Sequence, residues 1–94
     1  MDISEIKKPI KKVFLSGVIV EKNEPRIFSR MGDPGKLAVA VLKDKTGRID
    51  LTLWDGDVDL VEEGDEVVLE NCFVKEYNGS LQVTTGRNGS IRKV

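Results

Sequence analysis

Apolar and polar residues alternate with a period of two through most of this chain. Ile49, Leu51 and Leu53 interleave with Asp50, Thr52 and Trp54. Successive side chains of a strand point to opposite faces, so the aliphatic set takes a core and Trp54 falls on the polar face. Asp44-Lys45-Thr46-Gly47 just before it is a turn ending on glycine. Val13 to Glu21, β-branched and aliphatic, predicts a first strand, in which Gly17 marks a bulge or sharp bend. Residues 22–35 carry Pro25, Gly32, Pro34 and Gly35 and predict a polar loop or a loosely paired hairpin end. Leu37 to Leu42 predicts the second strand, Arg48 to Trp54 the third, Glu66 to Tyr77 a long fourth and Leu81 to Thr85 the fifth. Asn78-Gly79, between the last two, is the strongest short hairpin signal. Gly56 to Gly64 predicts a connection with at most one helical turn around Val58, Leu60 and Val61. Gly86-Arg87-Asn88-Gly89 turns the chain into a short tail, Ile91 to Val94.

Five strands without a substantial helix suit a closed barrel, which removes exposed sheet edges. The expected fold is all-β: a five-stranded Greek-key barrel of the OB type over residues 11–94. An SH3-like barrel is the competitor, but the long first strand and the connection after strand three favour the OB arrangement. Residues 1–10 form a leader, in which Ile3 and Ile6 either pack one turn across the barrel bottom or fray.

Ninety-four residues make one small domain. No apolar run approaches the ~20 residues of a membrane span, and Met1-Asp2-Ile3-Ser4-Glu5 has no apolar signal core. Cys72 is the only cysteine and there is no histidine, so neither an internal disulfide nor a structural zinc site is expected. A reducing, cytoplasmic setting fits. Asp55, Asp57 and Asp59 suggest a calcium loop, yet Leu60 stands where that loop needs glycine. No nucleophile–base pair and no P-loop is present, so neither an enzyme nor a cofactor is expected.

The net charge of −1 conceals a segregation. Residues 55–70 hold eight of the 16 acidic residues and no Lys or Arg, leaving 15 basic residues against eight acidic ones elsewhere. A dipolar molecule of this kind steers an anionic ligand to its basic side; a merely solubilising acidic connection is the plainer explanation.

There are five aromatics: Phe14, Phe28, Trp54, Phe73 and Tyr77. An indole opposite the core calls for a reason, and stacking on a nucleobase is one. Trp54 ends strand three, and Phe73 and Tyr77 lie near the end of strand four, so all three can converge on the face that OB barrels use for ligands. Strict alternation, however, groups Phe73 with Val67 and Leu69 as core. It reaches the binding face only if a bulge near Glu70-Asn71-Cys72 shifts the parity. Candidate phosphate partners are Arg26, Arg30 and Lys36 in the first loop, Lys75 beside the aromatics, and Arg87 after strand five. Phe28 either stacks or pins its loop. Lys7, Lys8, Lys11 and Lys12 form a further basic cluster, explained equally by solvation.

The string from Asp44-Lys45-Thr46-Gly47-Arg48 through Leu51-Thr52-Leu53-Trp54, then Glu63-Gly64-Asp65, Glu70-Asn71 and Tyr77-Asn78-Gly79-Ser80-Leu81-Gln82-Val83, resembles the archaeal single-stranded-DNA-binding proteins. It is similar too to the OB domains of archaeal replication protein A and to the short human single-strand-binding relatives, whose strand-five exit Thr85-Gly86-Arg87-Asn88-Gly89 also resembles. The likeness spans roughly residues 11–94. It implies that Trp54, Phe73 and Tyr77 stack the bases of single-stranded DNA, and therefore that the bulge exists and the Phe73 ring is exposed. Pro25 and Pro34-Gly35 depart from the family's first loop. The family often carries a tail or further domains, so this chain fits one domain of a longer protein.

The expected function is binding of single-stranded nucleic acid, DNA foremost, with little sequence preference, in replication and repair. The alternatives are an OB protein–protein module of a replication-protein-A-like complex, with the acidic loop 55–66 meeting a protein partner, and an RNA-binding OB domain. Stacking alone does not separate DNA from RNA.

Overall fold

Period-two alternation produces strands wherever one face can be buried, and here seven segments do so. The computed structural model describes residues 1–94 except Arg87, and Arg30 by its backbone alone. The strands are β1 (Ile10–Lys22), β2 (Arg26–Arg30), β3 (Asp33–Asp44), β4 (Gly47–Trp54), β5 (Glu66–Tyr77), β6 (Ser80–Thr84) and β7 (Ser90–Lys93). A short helix, α1 (Gly56–Leu60), and a 3-10 turn at Ile3–Glu5 complete the molecule.

The neighbour order β1-β3-β4-β6-β5 is closed into a ring by the β1–β5 pairing. This is the five-stranded barrel expected from the sequence. β4 and β6 run parallel. β7 pairs with Val67–Glu70 of β5, while β6 pairs with Phe73–Tyr77; the two are one interrupted strand along the same neighbour. Gly17 lies where β1 passes from β5 to β3, since Val18 pairs with both Glu66 and Lys43. The slip in the β1–β3 ladder falls two to four residues later, between Ile19 and Glu21.

Residues 22–35 are a hairpin rather than a loop. Arg26-Ile27-Phe28-Ser29-Arg30 alternates, and Arg26 to Arg30 pairs with Leu37 to Asp33. Met31 and Gly32 make the turn, both at positive φ (50° and 87°). Pro34 fits because β3 meets β4 only from Leu37 onward, so its missing N–H leaves no gap in that ladder.

Ile19, Leu42, Leu51, Leu53, Val67, Leu69 and Val83 fill the interior, all fully buried. Val58 and Val61 close the end beyond Trp54. Ile3 and Ile6 are buried at the other end, over the Asp44–Gly47 turn, so the leader packs with the barrel.

That turn is organised by one carboxylate. Asp44 accepts hydrogen bonds from the N–H groups of Ile3 (2.9 Å), Thr46 (2.7 Å) and Gly47 (3.0 Å), and from the Thr46 hydroxyl (2.6 Å). Burial of the group opposes ionisation, but these four donors outweigh it and hold Asp44 at about 2. The folded state thus releases this proton more readily than the unfolded chain. The stability Asp44 contributes is complete above the unfolded value near 4 and is lost as pH falls towards 2. Thermal midpoints measured between pH 5 and pH 2 are expected to fall less steeply in Asp44→Ala than in the wild type. Parallel curves would contradict this role.

Candidate nucleic-acid interface

The outward face of the barrel follows from the pairing registers. Leu37 lies opposite Trp54, Val39 opposite Thr52 and Val41 opposite Asp50. Thr52 lies beside Thr84 and Asp50 beside Gln82 across the parallel β4–β6 pair. Thr84 lies opposite Phe73, Gln82 opposite Lys75 and Ser80 opposite Tyr77. Cross-strand partners share a face, so Trp54, Thr52, Thr84, Gln82, Phe73, Lys75 and Tyr77 lie on one face, on which Thr52 and Thr84 are themselves buried. On the hairpin, Arg26 lies opposite Leu37 and Phe28 opposite Gly35, which adds both to this face.

Phe73 reaches that surface through a bulge at Asn71. Between the pairs Leu15↔Leu69 and Val13↔Cys72, β1 advances two residues and β5 three. Asn71 takes up the extra residue at φ 54°, in the left-handed region where Asn is among the best-tolerated side chains. Val67 and Leu69 point inward before it, and Cys72 and Val74 after it. Phe73, Lys75 and Tyr77 are thereby turned outward. Cys72 is an inert part of the core, its thiol pushed up to about 11 by burial.

Trp54 is half-buried and held from two sides. Its indole N–H donates to Thr84 Oγ1 at 2.9 Å, and Phe28 meets it edge-to-face, ring centroids 5.9 Å apart at 88°. Phe28 can take that position because Gly35 lies under it: a Cβ there would be 2.6 Å from Phe28 Cζ. Phe73 rests likewise on Gly86, at φ 61°, where a Cβ would overlap the ring. Trp54 and Phe73 therefore flank the C-terminal end of β6, two strand spacings apart and offset by two residues along β4, or about 12 Å between backbones. Tyr77 stands four residues beyond Phe73, or about 13 Å along β5, and is 60% exposed. Three rings spaced in this way offer successive platforms to an extended strand.

The charges sort by side. Lys36 lies opposite Ile27, on the reverse of the hairpin from Phe28, and its ammonium pairs with Asp59 at 3.0 Å. The structure places it apart from the aromatic surface. Lys22 pairs with Glu62 and Lys93 with Asp65, and Arg92 pairs with Glu70. Acidic residues 55–66 thus gather around α1 and the segment after it, behind the hairpin. There Asp57 is raised by burial and then by the neighbouring Asp55 carboxylate. Arg26 and Lys75 share the aromatic face. Among the described residues neither makes an ion pair, and Lys75 is half-buried beside Phe73. Arg30 belongs to the same strand as Arg26, with only its backbone described; Arg87 lies outside the described residues. Lys11, with Pro9 and Ile10, lines a cavity of about 470 Å³ against Phe73 and Val74, at the far end of the row.

Thr52, Thr84, Gln82 and the orientation of Phe28 escape sequence reasoning. Their place depends on the parallel β4–β6 pairing and on the register of hairpin β2–β3, neither of which is set by a local signal. The described residues contain no cluster of His, Cys, Asp and Glu fit for a metal ion, and no helix long and apolar enough to cross a membrane.

Comparison with known proteins agrees with this geometry. The family model described as single-stranded DNA binding protein Ssb-like, OB fold, matches residues 6–93. The single-stranded DNA binding protein Ssb of Saccharolobus solfataricus is 26% identical over 89 residues, covering 95% of this chain and 60% of that one. The replication factor A of Methanothermobacter thermautotrophicus is 30% identical over 91 residues, covering 96% of this chain and 12% of that one. The chain thus spans less than two thirds of either relative. The second OB-fold domain of replication protein A from Methanococcus maripaludis superposes with a TM-score of 0.80 at 28% identity, over 100% of this chain and 93% of that one. The chain belongs to the Ssb-like single-stranded DNA binding proteins of the OB fold.

Proposed function

We propose that this domain binds single-stranded DNA with little sequence preference, by stacking bases on Trp54, Phe73 and Tyr77 and holding phosphates with Arg26 and Lys75. The observation that carries the proposal is the row Trp54–Thr84–Phe73. An indole fixed by a hydrogen bond and an edge contact lies two strands from a second ring that a bulge has turned outward. Each stacked base contributes about 1–3 kcal/mol whatever its identity, and the cations add a sequence-independent, salt-sensitive term. Arg30 and Arg87 are further candidate phosphate partners. The domain works by binding, without chemistry of its own, and covers or presents single strands inside the cell during replication and repair. The names of its relatives support DNA as the ligand.

The second reading, a protein-interaction module, draws on the outward β1 side chains Phe14 (54% exposed), Val18 and Val20. These residues lie outside the aromatic row, so substituting Trp54 separates the two readings.

Anisotropy of a labelled oligonucleotide, titrated at several salt concentrations and competed with unlabelled duplex, tests the proposal. Tight binding that resists duplex competitor and weakens with salt is expected. Lys75→Ala should lower affinity for every sequence alike and reduce the log–log salt slope by about 0.7. Equal competition by duplex would contradict stacking, and an unchanged slope would remove Lys75 from the phosphate set.

A further inference from the structure

One cavity on the hairpin side of the aromatic face is left unused by the stacking row. β1 pairs with β3 as far as Lys22↔Ala40, and β2 resumes at Arg26↔Leu37. Between them Asn23, Glu24 and Pro25 bow away from β3, tied by the Asn23 N–H donating to the Val39 carbonyl at 2.9 Å. The bow leaves a cavity of about 430 Å³ against Leu37 and Val39, within the ~300–1,000 Å³ of small-molecule sites. Leu37 stands opposite Trp54 and Val39 opposite Thr52, so the cavity adjoins the first stacking platform. Its floor is aliphatic. Its rim carries a carboxylate, an amide and a guanidinium, from Glu24, Asn23 and Arg26, and among the described residues these side chains make no hydrogen bond or ion pair.

We infer that this cavity is a base-reading subsite, which takes the nucleotide next to the one stacked on Trp54 and prefers a base bearing an exocyclic amino group. The inference rests on the strand-binding proposal above. An aliphatic floor accepts a base plane, and the rim supplies both kinds of hydrogen-bonding partner. The Glu24 carboxylate only accepts, as a carboxylate does from the cytosine N4 amino group. The Asn23 amide both donates and accepts, while Arg26 stays with the phosphate. Cytosine matches best, because its amino group adjoins the N3 and O2 acceptors. Thymine presents the O4 acceptor where cytosine has its donor, and sets it against the carboxylate. One selective position in an otherwise tolerant path gives a modest base preference.

The test compares dC8 with dT8 at pH 8 by labelled-oligonucleotide anisotropy, in the wild type, Glu24→Ala and Asn23→Ala. Glu24 is exposed, so its loss should leave the fold intact, as circular dichroism will show. The wild type should bind dC8 about fivefold or more tightly than dT8. Glu24→Ala should bring the two within about twofold by weakening dC8 alone, and Asn23→Ala should narrow the gap. Equal wild-type affinities, with dT8 bound normally, would overturn the subsite and leave the stacking row standing. A uniform gain for both oligomers in Glu24→Ala would overturn it too, because the carboxylate would then only repel phosphates. Binding of neither oligomer would defeat the strand-binding proposal itself.

Discussion

Trp54→Ala is expected to weaken single-strand binding by about 1–3 kcal/mol, roughly 5- to 150-fold, while the barrel stays folded. The two effects separate because Trp54 faces away from the core. Leu51 and Leu53 of the same strand are fully buried and hold β4 in place without it. The variant loses the hydrogen bond to Thr84 and the edge contact with Phe28, together about 1–2 kcal/mol of stability. Thr84→Val refines the argument. It keeps the indole but removes the acceptor that fixes its orientation, so affinity should fall by less than in Trp54→Ala. Both effects are read by anisotropy of a labelled oligonucleotide, with urea unfolding as the stability control. A large stability loss with unchanged affinity would make Trp54 a core residue and remove the first platform.

Forcing Asn71 out of its bulge is expected to damage the fold, whereas deleting it is not. With Asn71 kept in a regular strand, every later side chain would change face: Phe73, Lys75 and Tyr77 would turn inward, and Cys72 and Val74 outward. The chain avoids this by holding Asn71 at φ 54°. A residue that rejects the left-handed region strains that solution, so Asn71→Val should lose about 1–2 kcal/mol, while Asn71→Gly suits the positive φ and should be nearly neutral. Deleting Asn71 removes the extra residue itself. Two residues of β5 then match two of β1 between Leu69 and Cys72, Cys72 stays inward and Phe73 outward, and the domain should still fold and bind. Urea unfolding and oligonucleotide anisotropy of the three variants order them; a deletion that unfolds the domain or abolishes binding would refute the bulge as the device that orients Phe73.

The bulge also marks where the sequence stops being legible. Alternation in Ile49 to Trp54 places Trp54 outward without reference to any other strand, and Asn78-Gly79 announces its hairpin through the two positive φ values it adopts. These are local signals. Phe73 is different: counted from Val67 and Leu69 it belongs to the core, and only the likeness to a known family pointed the other way. An Asn in the left-handed region is visible once the backbone exists, because nothing local distinguishes Asn71 from Asn23, whereas Asn78 is followed by Gly79. Hairpin β2–β3 was half hidden by its prolines, although Arg26 to Arg30 alternates. Its register decides that Arg26 and Phe28 face the row while Lys36 faces Asp59 behind it. Thr84 and Gln82 enter the site through a parallel pairing between strands 30 residues apart, and such pairing leaves no mark on either strand.

Segregation of acids into residues 55–70 was plain in the sequence. In space those acids take Lys22, Lys36, Arg92 and Lys93 as partners. Arg26 and Lys75 are left to the aromatic face, where an anionic strand would meet them, so a net charge of −1 is compatible with a cationic path.

Trp54 is the sole tryptophan, which makes its fluorescence the most direct test of the central claim that a single strand stacks on this face. A dT oligonucleotide and a duplex of equal length are titrated into the protein at low and at moderate salt. Quenching by the single strand alone, with an apparent affinity that falls as salt rises, is the predicted result. Emission unchanged at high micromolar single strand in low salt, or quenched equally by the duplex, would contradict it.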